Sequence, residues 1–407
     1  MEIVCVGGGP AGLYFALAAK ARNADHRITV LERNPANVTH GWGVTFGEEL
    51  LDSLHACDPD SARTIQYAAD AWTDQEVRTP EGRTVHLGGY GYSIGRQRLL
   101  SILADRAVSL GIDVRFEHEV SDTEEFHDAD LVVACDGANS RLRSRYADAF
   151  GTSIETGGNK YVWLGTHKVF NAFTYAFERT DAGLIWCYGY RYDDHTSTFI
   201  VECSPQTWAG LGLDERGTDD SLRLLEGVFA RHLSGQALLI PASAGPEVPW
   251  LHFRRVSNAK WSHRNIAMLG DAAHTTHFTL GSGTKLAMLD AASLATNLQK
   301  YPDLPTALAE YERERRAALA PVDEQARSSC AWFEHVPDRI GLGPVRFAYS
   351  LWGRRAPAPA WRYPVHLGTQ LPPVRWLRHR YSTAVQKRRA RERDNRDALV
   401  GASAVAG

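Results

Sequence analysis

The sequence is poor in the features that build disulfide frameworks, metal centres and membrane spans. Its six cysteines (Cys5, Cys57, Cys135, Cys187, Cys203 and Cys330) include no C-x-x-C pair and form no cluster with histidine at metal-ligand spacing. Neither a disulfide scaffold nor a metal site is therefore expected. Cys5 and Cys135 fall inside apolar runs, where a thiol behaves as a small hydrophobe, and a reducing cytoplasm is the simplest compartment for such a chain. No apolar run reaches the roughly eighteen residues that a transmembrane helix requires. Met1-Glu2-Ile3-Val4 leads into a strand with no stretch of signal-peptide form, so a cytoplasmic protein without a membrane partner is expected. Net charge is small, −3 at pH 7, which gives no overall field for a nucleic-acid partner. Internal repeats are absent, and the chain is compatible with a monomer or a homodimer.

What is present is an ordinary globular chain of 407 residues, long enough for two or three lobes. Residues 3–6, Ile-Val-Cys-Val, form a buried-strand run. They lead into Gly7-Gly8-Gly9-Pro10-Ala11-Gly12 and an Ala/Leu-rich helix from Leu13 to Arg22, and a second strand, Ile28 to Leu31, ends on Glu32. This β-turn-α-β unit opens a parallel, doubly wound sheet. Gly7-x-Gly9-x-x-Gly12 is thus the dinucleotide fingerprint in the context it needs. Gly7 permits the tight turn, Gly9 admits a pyrophosphate to the backbone, and Gly12 lets helix and strand pack closely. Pro10 and Ala11 begin the helix whose N–H groups meet the phosphates. Glu32, with Arg33 beside it, is placed for ribose hydroxyls.

Further along, the pattern predicts a helix from Gln97 to Leu110 and strands at Val114–Phe116 and Leu131–Ala134, the latter leading to Asp136-Gly137. Between Val162 and Cys203, aromatic and β-branched runs predict an inserted antiparallel sheet. An amphipathic helix at 221–233 is expected to lie across it. Ile266–Leu269 returns to a buried strand, Gly283–Leu298 to a helix, and Thr306–Trp332 to a long helix broken or bent at Pro321.

Three more motifs carry a family resemblance. Arg96-x-x-Leu99-x-x-x-Leu103, Asp136-Gly137-Ala138-Asn139-Ser140-Arg141-Leu142-Arg143 and Gly270-Asp271-Ala272-Ala273-His274 resemble motifs of the single-component (group A) FAD-dependent aromatic hydroxylases, the p-hydroxybenzoate hydroxylase fold. The resemblance implies an α/β chain with an α+β insert: a doubly wound, FAD-binding parallel sheet, an inserted antiparallel-sheet substrate domain and a helical C-terminal region. On that reading residues 1–158 and 255–300 bind FAD, 159–254 form the substrate sheet, 301–353 are helical, and 354–407 are a basic Pro/Arg-rich tail. The resemblance assigns Asp271 to the FAD ribityl chain, Arg96 to the phosphate region and Asp136 to the same site. It also implies NADPH or NADH as a co-substrate without a domain of its own, and O2 as the source of the oxygen passed to an electron-rich ring carbon. Gly281-Ser282-Gly283-Thr284, just before a helix, offers backbone N–H groups to the N1/C2=O edge of a reduced flavin.

The loop after Asp271 departs from the family pattern: His277-Phe278 stand where Pro-Pro is usual, and Lys285 where Asn is. His277 to Met288, Gly41-Trp42-Gly43-Val44 and Gly88 to Arg96 are similar to salicylyl-CoA 5-hydroxylases, while Asn159 to Thr166 and Ser197 to Cys203 also look like the tryptophan hydroxylase of violacein biosynthesis. The implied substrate is a salicylyl-CoA-like aryl thioester on coenzyme A or a carrier protein. A free aromatic or indole, or a flavin dehydrogenase reaction, is the alternative. The W-x-W-x-I-P motif of a halogenase on this fold is absent.

Candidate substrate-side residues are Tyr161, Trp163, Tyr188 and Tyr190, although any single one reads more simply as a core aromatic on a pleated sheet, with Thr45, Phe46, Phe278 and Lys285. His277 suits proton movement from a ring hydroxyl, since an imidazole titrates near about 6.5; alternatively it only shapes the pocket. Residues 354–397 hold twelve Lys/Arg against three Asp/Glu. They read as a solvated, partly disordered extension, or as a surface where Arg375, Arg378, Arg380, Lys387, Arg388 and Arg389 meet coenzyme A phosphates or an acidic carrier protein.

Overall fold

The computed structural model describes residues 1–36, 38–39, 41–120, 126, 128–241, 245, 249–356, 359 and 361–405, with side chains up to residue 396. One sheet has six strands in the spatial order Ser262–His263, Ile266–Met268, Leu131–Ala134, Glu2–Val6, Arg27–Leu31 and Asp113–Arg115. All neighbours run parallel except the short hairpin at the Ser262 edge. Leu131–Ala134 is buried throughout, as expected for a strand covered on both faces. The helix Pro10–Arg22 packs on the helix Gly283–Lys300, which in turn meets the long helix Leu304–Glu334.

A second, largely antiparallel sheet is ordered Leu238–Leu239, Thr152–Thr166, Ser197–Cys203, Gly183–Arg191, Phe173–Thr180, Gln75–Arg78 and Thr84–His86, with Leu251–Asn258 also pairing on Thr152–Thr166. It therefore extends beyond the expected 159–254. The hairpin 75–86 joins its edge through a parallel pairing of Gln75–Arg78 with Phe173–Thr180. Only Val77 of Gln75-Glu76-Val77-Arg78 is buried, so this strand has no apolar period to read. A three-stranded sheet of Gly43–Phe46, Gly91–Gly95 and Asp70–Trp72 touches both lobes: Gly43–Phe46 packs on the helix Gly283–Lys300, and the Gly43 N–H donates to Thr198 Oγ1 at 2.9 Å.

Two expectations about the C-terminal half change. The helix Leu304–Glu334 continues through Pro321 without a break. Pro321 and Ala317, whose carbonyl loses its N–H partner, are both exposed, so water can satisfy the orphaned acceptor. The basic segment is no disordered extension, because residues Pro372–Val405 form one helix. Its inward face is anchored by Arg393, 1% exposed, which donates to Glu48, Asp52 and Gln66. Arg378 pairs with Asp74 at 3.6 Å, and Gln386 reaches the Trp72 carbonyl. Composition suggests disorder here, but distant carboxylates supply the counter-charge.

Candidate functional site

The crossing of the first strand and first helix is fixed by contacts that only glycine permits. Gly7 has φ +114°, and a Cβ there would lie 2.4 Å from the Cys135 carbonyl oxygen; one at Gly12 would lie 2.1 Å from the Gly7 oxygen. Gly9 is different, because an added Cβ would meet nothing within 4 Å. It faces a cavity of about 650 Å³ whose wall also includes Gly7, Pro10, Ala11, Glu32, Arg33, Arg96, Asp136, Asp271, Gly283 and Thr284. Eleven of the fourteen residues read from sequence as cofactor ligands thus converge on one cavity. Gly12 is packed behind it, and Gly281 and Ser282 lie off its wall.

Charge is distributed along this cavity in a definite way. Glu32 Oε2 accepts the Gly8 N–H at 2.7 Å, and Oε1 accepts the backbone and side-chain N–H groups of Asn34 at 2.9 and 2.6 Å. A carboxylate offers about four acceptor sites, so one remains free. Arg96 donates to Thr39 Oγ1 at 3.2 Å; burial lowers its pKa while Asp271 and Glu32 oppose that. Burial raises the Asp271 carboxyl, with Arg96 pulling it down. Asp136 Oδ2 accepts the Arg141 N–H at 2.8 Å, whereas its Oδ1 is buried with no partner among the described residues.

An FAD-sized ligand fits this set on the structure's own terms. A helix N-terminus with an open glycine faces phosphates, a spare carboxylate lone pair and an orphaned Asp136 oxygen await hydroxyl or amine donors, and Arg96 supplies a cation. The residues around these groups brace them. Arg143, buried, donates to the Ala138 carbonyl at 2.7 Å and the Ala272 carbonyl at 3.2 Å, tying the Asp136 loop to the Asp271 turn. His274 Nε2 lies 2.8 Å from Asp290 Oδ2, which also accepts the Gly270 N–H at 3.1 Å; Arg315 donates to Oδ1 at 2.8 Å. His274 further stacks on Trp261, centroids 4.8 Å apart.

The candidate substrate residues fall into two groups. Tyr161 meets Phe278 (ring centroids 4.6 Å), and Tyr188 stands edge-on to it at 5.8 Å. Trp163 covers Gly41, where a Cβ would come 3.0 Å from the indole; its Nε1 is buried and unpaired among the described residues. Thr45 Oγ1 would lie 2.5 Å from a Cβ at Gly281, whose φ is +61°. Thr45 thus borders the Gly281–Gly283 loop, and Tyr161 and Tyr188 pack on Phe278 just before it, while Trp163 stands over Gly41. The others have structural partners: Tyr190 donates to the Gly43 carbonyl at 2.8 Å, Phe46 stacks on Tyr92, and Lys285 is paired with Glu49 at 2.9 Å.

His277 is buried between Phe253 and Phe278, with Nδ1 2.9 Å from Thr279 Oγ1. It lines a separate cavity of about 220 Å³ beside the helix Leu304–Glu334. Burial and the nearby Arg354 lower its pKa to about 3, which makes it a poor proton acceptor at neutral pH.

Sequence reasoning missed Asp290 and Glu202. Glu202 is buried and accepts from Tyr188 in a short hydrogen bond, from Asn159 at 2.7 Å and from Trp186 at 3.3 Å; burial raises its pKa to about 7. The available signal was the same for both: a lone acid inside an apolar run, Leu286 to Ala292 for one and Phe199 to Cys203 for the other.

A dinucleotide cavity on a parallel sheet, with sheet aromatics Tyr161 and Tyr188 packed on Phe278 a few residues before the Gly283 that lines it, is the arrangement of a flavin-dependent aromatic monooxygenase. The FAD binding domain family matches residues 1–326, and the chain belongs to it. Relatives include salicyloyl-CoA 5-hydroxylase of Streptomyces sp (36% identical; 88% of this chain, 70% of the relative). Another is 3-hydroxy-4-methyl-anthranilyl-[aryl-carrier protein] 5-monooxygenase of Streptosporangium sibiricum (34%; 83% and 90%). A third is protodeoxyviolaceinate monooxygenase of Chromobacterium violaceum (30%; 88% and 96%). Among solved structures, 2-methyl-3-hydroxypyridine-5-carboxylic acid oxygenase (TM-score 0.64, 17% identity, 81% of this chain and 90% of that one) shares the fold. So does P. aeruginosa PqsL in complex with 2-aminobenzoylacetate (0.64, 18%, 82% and 96%). No helix among the described residues is long and apolar enough to cross a membrane.

Proposed function

We propose that this chain hydroxylates an electron-rich aromatic ring presented as an acyl thioester, consuming O2 and NADPH or NADH. The observation that carries the reaction is the packing of Tyr161 and Tyr188 on Phe278, three residues before the Gly281–Gly283 loop, whose Gly283 lines a cavity built for a dinucleotide. The thioester is supported by the relatives at 36% and 34% identity, whose names specify a coenzyme A and an aryl-carrier substrate.

Bound FAD, reduced by the nicotinamide, would supply the activated oxygen. The chain's own residues do the rest. Gly7, Gly9, Pro10 and Ala11 present backbone to the phosphates, whose charge Arg96 meets; Glu32, Asp136 and Asp271 orient the sugar and ribityl hydroxyls. Backbone N–H groups of Gly283 and Thr284, which line the cavity at the start of their helix, meet negative charge developing on the ring system; the Gly281 N–H is already given to the Phe278 carbonyl. The aromatic wall keeps water from the reacting atoms. His277, with its depressed pKa, shapes the pocket through Phe278 rather than carrying a proton.

The test is nicotinamide oxidation and product mass for the FAD-loaded protein with salicylyl-CoA, anthraniloyl-CoA, free salicylate and tryptophan. Hydroxylated product from a thioester alone is expected. Product from a free aromatic only would move the substrate to the second reading, which the relative named for protodeoxyviolaceinate favours. Nicotinamide oxidation without oxygen incorporation would overturn the hydroxylase reading.

A further inference from the structure

The outward face of the C-terminal helix remains unexplained by the cavity. Its inward face is committed to the body by Arg378, Ser382, Gln386 and Arg393. Flanking that face, Val374, Leu377 and Tyr381 follow one another at i, i+3 and i+7, so they share a stripe. Leu377 is 59% exposed, Tyr381 70% and the nearby Trp376 56%. The same outward side carries Arg380, stacked on Trp376 at 4.7 Å, followed by Lys387, Arg388 and Arg391. Residues 372–391 contain no Asp or Glu, and among the described residues no carboxylate pairs with the exposed Arg380, Lys387 or Arg391. An exposed apolar stripe rimmed by unpaired cations is a surface built for a negatively charged protein.

We infer that this face docks the acidic carrier domain that delivers the aryl thioester, an inference that rests on the thioester reading above. Three observations select this occupant. Coenzyme A would use the arginines but has no need of an apolar stripe that spans, from 374 to 381, about 10 Å of helix. A second copy of the chain would set the same uniformly basic face against itself, and like charges opposed across an interface are repelled. The helix is also tied to the cavity: Arg393 grips Glu48 and Asp52 on the helix Glu48–Cys57, and the adjoining Glu49 holds Lys285, two residues past Gly283. A partner seated on the stripe rests over the segment 73–88, where Arg378 meets Asp74 and His379 meets Thr73, on a helix whose far end braces the element next to Lys285.

The experiment compares the holoenzyme with the variant Leu377→Asp/Arg380→Glu, neither position touching the cavity. Substrates are a 2-hydroxybenzoyl group on a phosphopantetheinylated carrier domain and the same group on coenzyme A. The expected result is a KM for the carrier-bound substrate raised about tenfold or more, the scale of losing one well-packed interface anchor. The coenzyme A kinetics, flavin content and thermal midpoint should stay unchanged, and the carrier KM of the parent should rise with salt.

Turnover of the coenzyme A thioester but not the carrier-bound one by the parent would overturn the docking proposal alone. So would an equal effect of the variant on both substrates, or an unaltered carrier KM accompanied by a changed sedimentation coefficient or by lost binding to phosphatidylserine vesicles. Failure of both thioesters with turnover of free salicylate would instead remove the reading on which the inference stands.

Discussion

Gly9 and Gly12 lie three residues apart, yet alanine should act on them in unlike ways. A methyl group at Gly12 collides with the Gly7 carbonyl, so Gly12→Ala is expected to destabilise the apoprotein by about 1–3 kcal/mol, the usual cost of overpacking. Gly9 has ordinary extended dihedrals (φ −75°, ψ −177°) and open space above it. Gly9→Ala should therefore fold like the parent and lose FAD affinity by about tenfold or more. Urea denaturation of the apoprotein and flavin titration separate the two. Glu202 gives a prediction of opposite character. Its folded pKa of about 7 exceeds the usual carboxylate value because of burial, so the folded state holds the proton more tightly than the unfolded one. That stabilisation is full below about pH 4.5 and is lost as pH rises through about 7, on the order of 3 kcal/mol in all. Glu202→Gln should flatten this decline in a series of denaturant midpoints, and should be more stable than the parent at pH 8. A variant that follows the parent's pH curve would show that Glu202 is not the group responsible.

The turn that presents Asp271 depends on the element behind it. Asp290, inside the helix Gly283–Lys300, holds Gly270, His274 and Arg315 together; burial opposes its charge, but His274 and Arg315 outweigh that and keep its carboxyl below the usual range. Asp290→Ala leaves those partners unsatisfied and is expected to cost about 3 kcal/mol in urea denaturation, with flavin affinity reduced as well. For the C-terminal helix, Arg393→Ala should raise hydrogen exchange across residues 372–396 while the flavin content stays near that of the parent, since the anchor lies outside the cavity. Protection unchanged in that segment would show that other contacts hold the helix. These elements also mark where the sequence was readable. Gly7 to Gly12, Glu32 and the strand before Asp271 carry their signal locally, in turn chemistry and short apolar runs. The hairpin 75–86 and the helix 372–405 do not, because what orders them is distant: Phe173–Thr180 for one, Glu48, Asp52 and Asp74 for the other. Tyr190 and Lys285 misled for a related reason, since an aromatic or a cation in a promising place does not reveal that Gly43 or Glu49 already occupies it.

On the scale of the whole molecule, the two large sheets differ in what they carry: the parallel one frames the dinucleotide cavity, and the antiparallel one packs Tyr161 and Tyr188 on Phe278. The long strand Thr152–Thr166 lies wholly in the second, paired with Leu251–Asn258 along its first half and with Ser197–Cys203 along its second. The strand order has a further consequence for how the protein comes into being. Glu2–Val6 lies beside Leu131–Ala134, which lies beside Ile266–Met268, so the central sheet unites segments separated by more than a hundred residues. Such distant pairings form slowly. During synthesis the first two strands emerge long before the third, and the cavity has no floor until the Asp271 turn and Thr284 have left the ribosome. Cofactor capture is therefore a closing event of biogenesis, and a nascent chain stalled before residue 266 exposes an unpaired strand edge to its neighbours.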